Sequence, residues 1–285
     1  MTMNKGNIFT RPLNAPFGAE VSGVDLARPL DGDTVATIRK AVDDYQLVVF
    51  RGQHISAPAL VTFSRHFGDI ALSAHKYSHP DAHEAYVISN IVDERGENIG
   101  LAEAGPAWHT DGVYFERPHA YTLFYAVEVP HDNETALGDT QFASAANAYE
   151  ALSASDRERI AHLRAVHSIT RPRQAERLGT RKRKPLTPEQ LAKNPDRDHP
   201  VVRTHPRTGR KCIFVNETYT ERIVDMPESE SRPLLDRLQA HIVSGPFYYR
   251  HSWKVGDLVI CDNCALQHKS TLDYTLPKRR MLYRT

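Results

Sequence analysis

Trp108-His109-Thr110-Asp111 sets an imidazole and a carboxylate two residues apart. In an extended segment such residues project to the same side, so both can reach one cation. Two histidines and one carboxylate leave the opposite coordination positions open, which is the ligand set of non-haem Fe(II) sites where dioxygen and a substrate-derived oxygen must bind together. His268 offers the second imidazole, following the strand-like run Leu258 to Cys261 and a turn. Beyond it stand Arg279, Arg280 and Arg284. Arg280 and Arg284 are four apart, so in a strand both point to one face, and a guanidinium fork grips a carboxylate bidentately. A dicarboxylate cosubstrate needs such an anchor.

The His-x-Asp pair carries little alone. With 15 His and 35 acidic residues among 285, chance supplies roughly two His-x-acid pairs, and two are present: His109-Thr110-Asp111 and His79-Pro80-Asp81. The second holds a proline in the turn-like YSHPDAHEA and reads as surface. The first precedes Gly112-Val113-Tyr114-Phe115 on the way to a strand, where an inward His and Asp are costly unless they share a metal or a hydrogen bond. For His268 taken singly a structural role is the alternative, and the arginines that follow favour the ligand reading. Cys261 and Cys264 have Cys-x-x-Cys spacing, but no second pair accompanies them and a structural reading is favoured. Tyr114, Phe115, Phe214 and Tyr219 are candidates for a substrate pocket, with ordinary core aromatics as the alternative.

The elements that must position these residues are mostly short strands. Asp33 can cap a helix with apolar positions at Val35, Ile38, Val42 and Tyr45. Leu47 to Phe50 is a β-prone run, and Pro58 opens a second helix through Phe67. Further strands are expected at Ala85 to Ile91, Tyr121 to Val129, Val201 to Thr204, Cys212 to Val215, Phe247 to Trp253 and Asp257 to Cys261, with helices at Ser144 to Leu152, Asp156 to Leu163 and Pro227 to Val243. Grouped helices among many strands favour an α+β antiparallel barrel or jelly roll over a doubly wound parallel sheet. Arg171 to Asp198, rich in Arg, Lys and Pro, reads as a long surface loop or mobile lid.

Composition narrows the rest. At 40% hydrophobic and 25% charged the chain can bury a sizeable core, and 36 basic against 35 acidic residues give no electrostatic case for nucleic acid or an anionic membrane as partner. The basic run RPRQAERLGTRKRKP lacks the interleaved aromatics of a nucleic-acid groove and reads as a solvated flank. No apolar run approaches the roughly 20 residues that cross a bilayer. With three cysteines and no secretory signal, a cytoplasmic protein is expected.

Several separated blocks, in order, carry a resemblance: GAEVSGVDLARPL, WHTDGVYFERP, GDTQF at Gly138 to Phe142, HPVVRTHPRTGRKCIFVNETYTERI at His199 to Ile223, and the segment around His268. From about Gly18 to the last residue the chain closely resembles the taurine/2-oxoglutarate dioxygenase family, which includes aryloxyalkanoate dioxygenases and alkylsulfatases. The resemblance implies one dioxygenase domain over residues 1–285, a double-stranded β-helix (jelly roll) core with flanking helices, and a homodimer or tetramer. It implies Fe(II) held by His109, Asp111 and His268, with Thr140 and Arg280 on the distal carboxylate of 2-oxoglutarate. Dioxygen would then drive decarboxylation to succinate and carbon dioxide, coupled to hydroxylation of an aliphatic C–H of a small anionic substrate. A sulfonate, sulfate ester or aryloxyalkanoate is expected, and an amino-acid-like or larger biosynthetic acid is the alternative. Arg284 would approach that substrate, with an upstream histidine, His75 or else His79, beside it, and Gly112 would leave room on the same side. Because Asp111 is present, halogenation is not expected. The sequence departs from relatives at Cys261-Asp262-Asn263, where Trp-Asp-Asn is common. It also ends directly after Arg284, which implies a freer arginine than in the family.

Overall fold

The computed structural model describes residues 8–72, 77–169 and 187–285. Two sheets form its centre. The larger has eight strands in the order Phe9–Pro12, Ala19–Ser22, Leu47–Phe50, Leu258–Asp262, Tyr121–Glu128, Met281–Arg284, Ala82–Ser89 and Ser78–His79. The smaller has Thr140–Ser144 between Tyr248–His251 and Leu266–Ser270. Nearly all the pairings in these two sheets are antiparallel, that between Ala19–Ser22 and Leu47–Phe50 being parallel. This is the jelly-roll core of an α+β fold.

Strand parity explains why the two sheets face each other. Leu47, Val49, Phe124, Ala126, Val259 and Cys261 point toward the small sheet and share a core with Phe142, Trp253 and Leu266. Their alternating neighbours Val48, Phe50, Leu123, Tyr125, Leu258 and Ile260 point the other way, onto Ile38, Val42, Leu60 and Phe63 of two helices. A strand buried on both faces reads as the continuous apolar run seen in LVVF, and each fully buried large side chain contributes about 1.5–3 kcal/mol. A third core behind the small sheet gathers Ala145, Leu234, Leu238 and Ile242 around the helices Ala145–Glu150 and Glu228–Ile242.

The first helix, Gly32–Tyr45, is capped by Asp31, whose carboxylate accepts from Thr34 N at 2.7 Å, rather than by Asp33. The second, Ala57–Ser64, is capped by Ser56 and continues as a single 3-10 turn to Phe67. The stretch expected as one long loop at Arg171 to Asp198 divides. Residues 170–186, which hold the whole basic run, lie outside the described residues; Pro188–Lys193 is helical and Arg197–Pro200 pairs with Arg164–His167. Among the described residues no helix is long and apolar enough to cross a membrane.

Candidate active site

His109 and His268 meet through their main chains. His109 N donates to His268 O at 3.1 Å, and His268 N returns the bond to His109 O at 2.9 Å. This single bridge extends the small sheet by one residue pair, and the chain then enters a turn at Asp111. The His-x-Asp pair therefore does not lie on a strand. Its side chains converge because one bridge residue is followed by a turn, which swings the carboxylate back over the two imidazoles.

Ligand atoms of His109, Asp111 and His268 all lie within 4.8 Å of one another. Each imidazole Nε2 stands 3.8 Å from an oxygen of Asp111. His109 Nδ1 is 2.9 Å from Ala107 O, so the ring donates there and leaves Nε2 as a free lone pair. Thr122 Oγ1 donates to Asp111 Oδ2 at 2.8 Å and itself accepts from Asn263 Nδ2 at 2.8 Å, which fixes the direction of both bonds. Burial lowers the pKa of both imidazoles, and that of His268 falls to about 3. Burial would raise the Asp111 carboxyl, but the Arg284 guanidinium and the Thr122 hydroxyl hold its pKa well below the usual range. Two neutral imidazoles and an ionised carboxylate are the protonation states a divalent cation requires. Gly105 closes over this group: a Cβ there would stand 2.5 Å from His109 Cε1 and 3.1 Å from Nε2. The donor set and its geometry fit a metal ion.

Two chambers meet at the triad. One is lined by His109, His268, Thr140 and Arg280, with Ile88 and Phe124 among its other walls. Arg280 is 3% exposed, and its Nε donates to Gly138 O at 3.2 Å. Its ring neighbour is Tyr274, 5.6 Å away, and among the described residues it forms no ion pair. Tyr274 also hydrogen-bonds the guanidinium, and the charges of Asp273 and Asp139 reach it, but with no carboxylate in contact among the described residues a buried guanidinium is costly, and an anionic guest offsets that cost. Thr140 Oγ1 accepts from Trp253 Nε1 at 3.0 Å, so its own proton remains available to donate.

The second chamber lies on the Asp111 side and is lined by Tyr86, His83, His119 and Arg284 among others. Arg284 borders both chambers. It is not loose: its strand pairs with Tyr86 on one side and Phe124 on the other. Its guanidinium lies 5.0 Å over the Tyr86 ring and 3.3 Å from Asp111 Oδ1.

Other sequence expectations fall differently. Gly112 does not open space for a guest, because the ring of His119 fills it: a Cβ at Gly112 would meet His119 Cγ at 2.5 Å, and its φ is +68°. His75 lies outside the described residues. His79 stands 5.0 Å from the Tyr283 ring and lines neither chamber. Tyr114 packs on Tyr219 at 4.9 Å, and Tyr219 meets His109 edge-on at 6.2 Å, which makes the pair a wall near the triad. Phe214 is buried against His167, His199 and Arg203 and lines neither chamber. Cys261 and Cys264 are free thiols buried in the core between the sheets. Sequence reasoning missed His119, Trp253, Thr122 and Asn263. The last stands in the Cys261-Asp262-Asn263 departure, which was read only for its changed aromatic.

One cavity is lined by two of the three candidate metal ligands, His109 and His268, and by the guanidinium-bearing Arg280 and Arg284, which suits a metalloenzyme that binds a dicarboxylate. Residues 10–285 match the taurine catabolism dioxygenase TauD, TfdA family, and the chain belongs to that family of α-ketoglutarate-dependent dioxygenases. It is 33% identical over 266 residues to pentalenolactone F synthase of Streptomyces arenae, covering 89% of this chain and 86% of the relative. It is 31% identical over 288 residues to the alpha-ketoglutarate-dependent 2,4-dichlorophenoxyacetate dioxygenase of Cupriavidus pinatubonensis, covering 98% and 96%. Among solved structures, AAD-2 in complex with Mn(II) and N-oxalylglycine superposes with a TM-score of 0.80 at 27% identity, covering 98% of this chain and 96% of that one.

Proposed function

We propose that the chain, as one dioxygenase domain over residues 1–285, uses Fe(II), 2-oxoglutarate and dioxygen to hydroxylate an aliphatic C–H of a small organic acid of the sulfonate, sulfate ester or aryloxyalkanoate type. The observation that carries this reading is the single cavity lined by Arg280 and Thr140 together with His109 and His268. Neither a non-catalytic metal-binding jelly roll nor a zinc hydrolase needs a buried cation there.

His109, Asp111 and His268 hold the metal, which when bound supplies the redox chemistry that couples decarboxylation of 2-oxoglutarate to C–H oxidation. Arg280 and Thr140 grip the distal carboxylate, the first as charge and fork, the second as a single donor held in place by Trp253. Thr122 and Asn263 keep the Asp111 carboxylate ionised and oriented. Arg284 borders the substrate chamber and balances an anion there. Tyr86 lines the substrate chamber and Tyr219 packs against His109, and both help exclude water from the site. A relative acting on 2,4-dichlorophenoxyacetate supports the small-acid class, and the pentalenolactone relative supports the alternative of a larger biosynthetic acid. Cytoplasmic location and a homodimer or tetramer belong to the same reading.

Succinate release, screened over sulfonates, sulfate esters, aryloxyacetates and N-acyl amino acids, tests it. Stimulation by one of the first three classes is expected. Stimulation by N-acyl amino acids alone would move the reading to larger acids, and none by any acid would remove it.

A further inference from the structure

His119 stands eight residues beyond Asp111 and faces the same chamber. Its ring is held on two sides. Below, Gly112 gives it a seat that no side chain could share: an added Cβ would lie 2.5 Å from Cγ, 2.6 Å from Cδ2 and 2.7 Å from Nδ1. Beside it, Phe115 is tilted at 31° with ring centroids 5.3 Å apart. The ring is half-buried, and among the described residues neither of its nitrogens takes a hydrogen-bond partner. Burial lowers its pKa, and the opposing charges of Asp111 and Arg284 both reach it. His83 borders the chamber too, but it is exposed.

An imidazole packed on two sides, its nitrogens unused among the described residues, lines the same chamber as Arg284, with Asp69, Glu84 and Asp111 also in that lining, and can act as a directional donor where Arg284 supplies the positive charge. We propose that His119 and Arg284 together hold the anionic head group of the primary substrate, with His119 donating one ring N–H to an oxygen whose charge Arg284 balances. This deepens the small-acid reading above and rests on it. The pairing selects head groups with at least two oxygens spread widely enough to meet both donors, such as carboxylate, sulfate or sulfonate. It also gives Gly112 a role: the residue after the ligand Asp111 is small so that a specificity residue can sit on it.

The test uses the full chain loaded anaerobically with Fe(II) and 2-oxoglutarate. Phenoxyacetate, hexyl sulfate and taurine are titrated while the visible band of the chelate is followed, and the tightest of the three is then measured on His119→Phe and His119→Gln. Phe keeps a ring on Gly112 and removes the N–H, while Gln keeps a donor. His119→Phe is expected to weaken the acid by about tenfold or more, as loss of a hydrogen bond to a charged group does. His119→Gln should stay within about threefold of wild type, with 2-oxoglutarate affinity within about twofold in both. Unchanged acid affinity in His119→Phe overturns the assignment. Equal losses in Phe and Gln overturn it too, since shape rather than donation would then matter. Loss of the 2-oxoglutarate band in His119→Phe places the residue in support of the metal site and also overturns it. If no acid moves the wild-type band, the small-acid reading itself fails, and this assignment with it.

Discussion

His109 and His268 exchange both main-chain hydrogen bonds, at 3.1 and 2.9 Å, so the two imidazoles are brought together by the same bridge that closes the small sheet. Ser270 reinforces it, donating its N–H to Gly105 O at 2.8 Å and its hydroxyl to Ala104 O. The ligand geometry is therefore a property of the fold and does not wait for the ion.

The metal-free protein is accordingly expected to have the same far-UV circular dichroism as the Mn(II)-loaded protein. Its melting temperature should rise with metal concentration as binding linkage dictates, by about 2.7 kcal/mol of stability at a hundredfold excess over Kd. Secondary structure that appears only on metal addition would contradict a preformed site.

Trp253 is 1% exposed and spends its only polar hydrogen on Thr140 Oγ1 at 3.0 Å. Replacing it with Phe leaves Thr140 free to rotate. KM for 2-oxoglutarate should rise about fivefold, the equivalent of one neutral hydrogen bond of about 1 kcal/mol, with Fe(II) affinity unchanged. An unaltered KM would mean that Thr140 needs no such support.

His167 lies far from the metal ligands in sequence, on the strand Arg164–His167, with Nδ1 3.2 Å from Thr220 Oγ1 and Nε2 buried without a hydrogen-bond partner among the described residues. Burial lowers its pKa to about 3. The unfolded chain takes up a proton near the ordinary histidine value of about 6.5, whereas the folded chain does not. Stability is therefore level above that pH and falls as the pH drops from there toward about 3, by about 1.4 kcal/mol per pH unit for this residue. Urea unfolding at about pH 7.5 and 5 should show a loss near 2 kcal/mol attributable to His167, and His167→Phe should reduce the difference by that amount. An identical pH difference in the variant would assign the acid sensitivity to other groups.

Much of the architecture was legible because the signals are local. LVVF reads as a strand, Pro58 opens a helix, and a helix is expected from Pro227 where the structure has Glu228–Ile242. The convergence of His109, Asp111, His268, Thr140, Arg280 and Arg284 was legible from the order of motifs, although spacing misplaced the first pair on a strand. What was not legible depends on contacts between distant segments. Nothing around Trp253 marks it as Thr140's partner 113 residues away. Asn263 reaches Thr122 across 141 residues. Gly112 looked like spare volume because a sequence cannot show that His119 folds back onto it. The strands Thr140–Ser144 and Leu266–Ser270 are short and partly polar, so periodicity alone did not announce them.

On the proposed reading the cavity lined by His109, His268, Thr140 and Arg280 takes both the metal and 2-oxoglutarate. Anaerobic titration of the Fe(II)-loaded protein with 2-oxoglutarate tests it most directly. The account predicts a weak visible charge-transfer band in the native protein, absent in His109→Ala, and reached in Arg280→Ala only at 2-oxoglutarate concentrations at least about a hundredfold higher, as loss of a buried charge-assisted contact requires. A band of native affinity in Arg280→Ala, or none in the native protein, would contradict it.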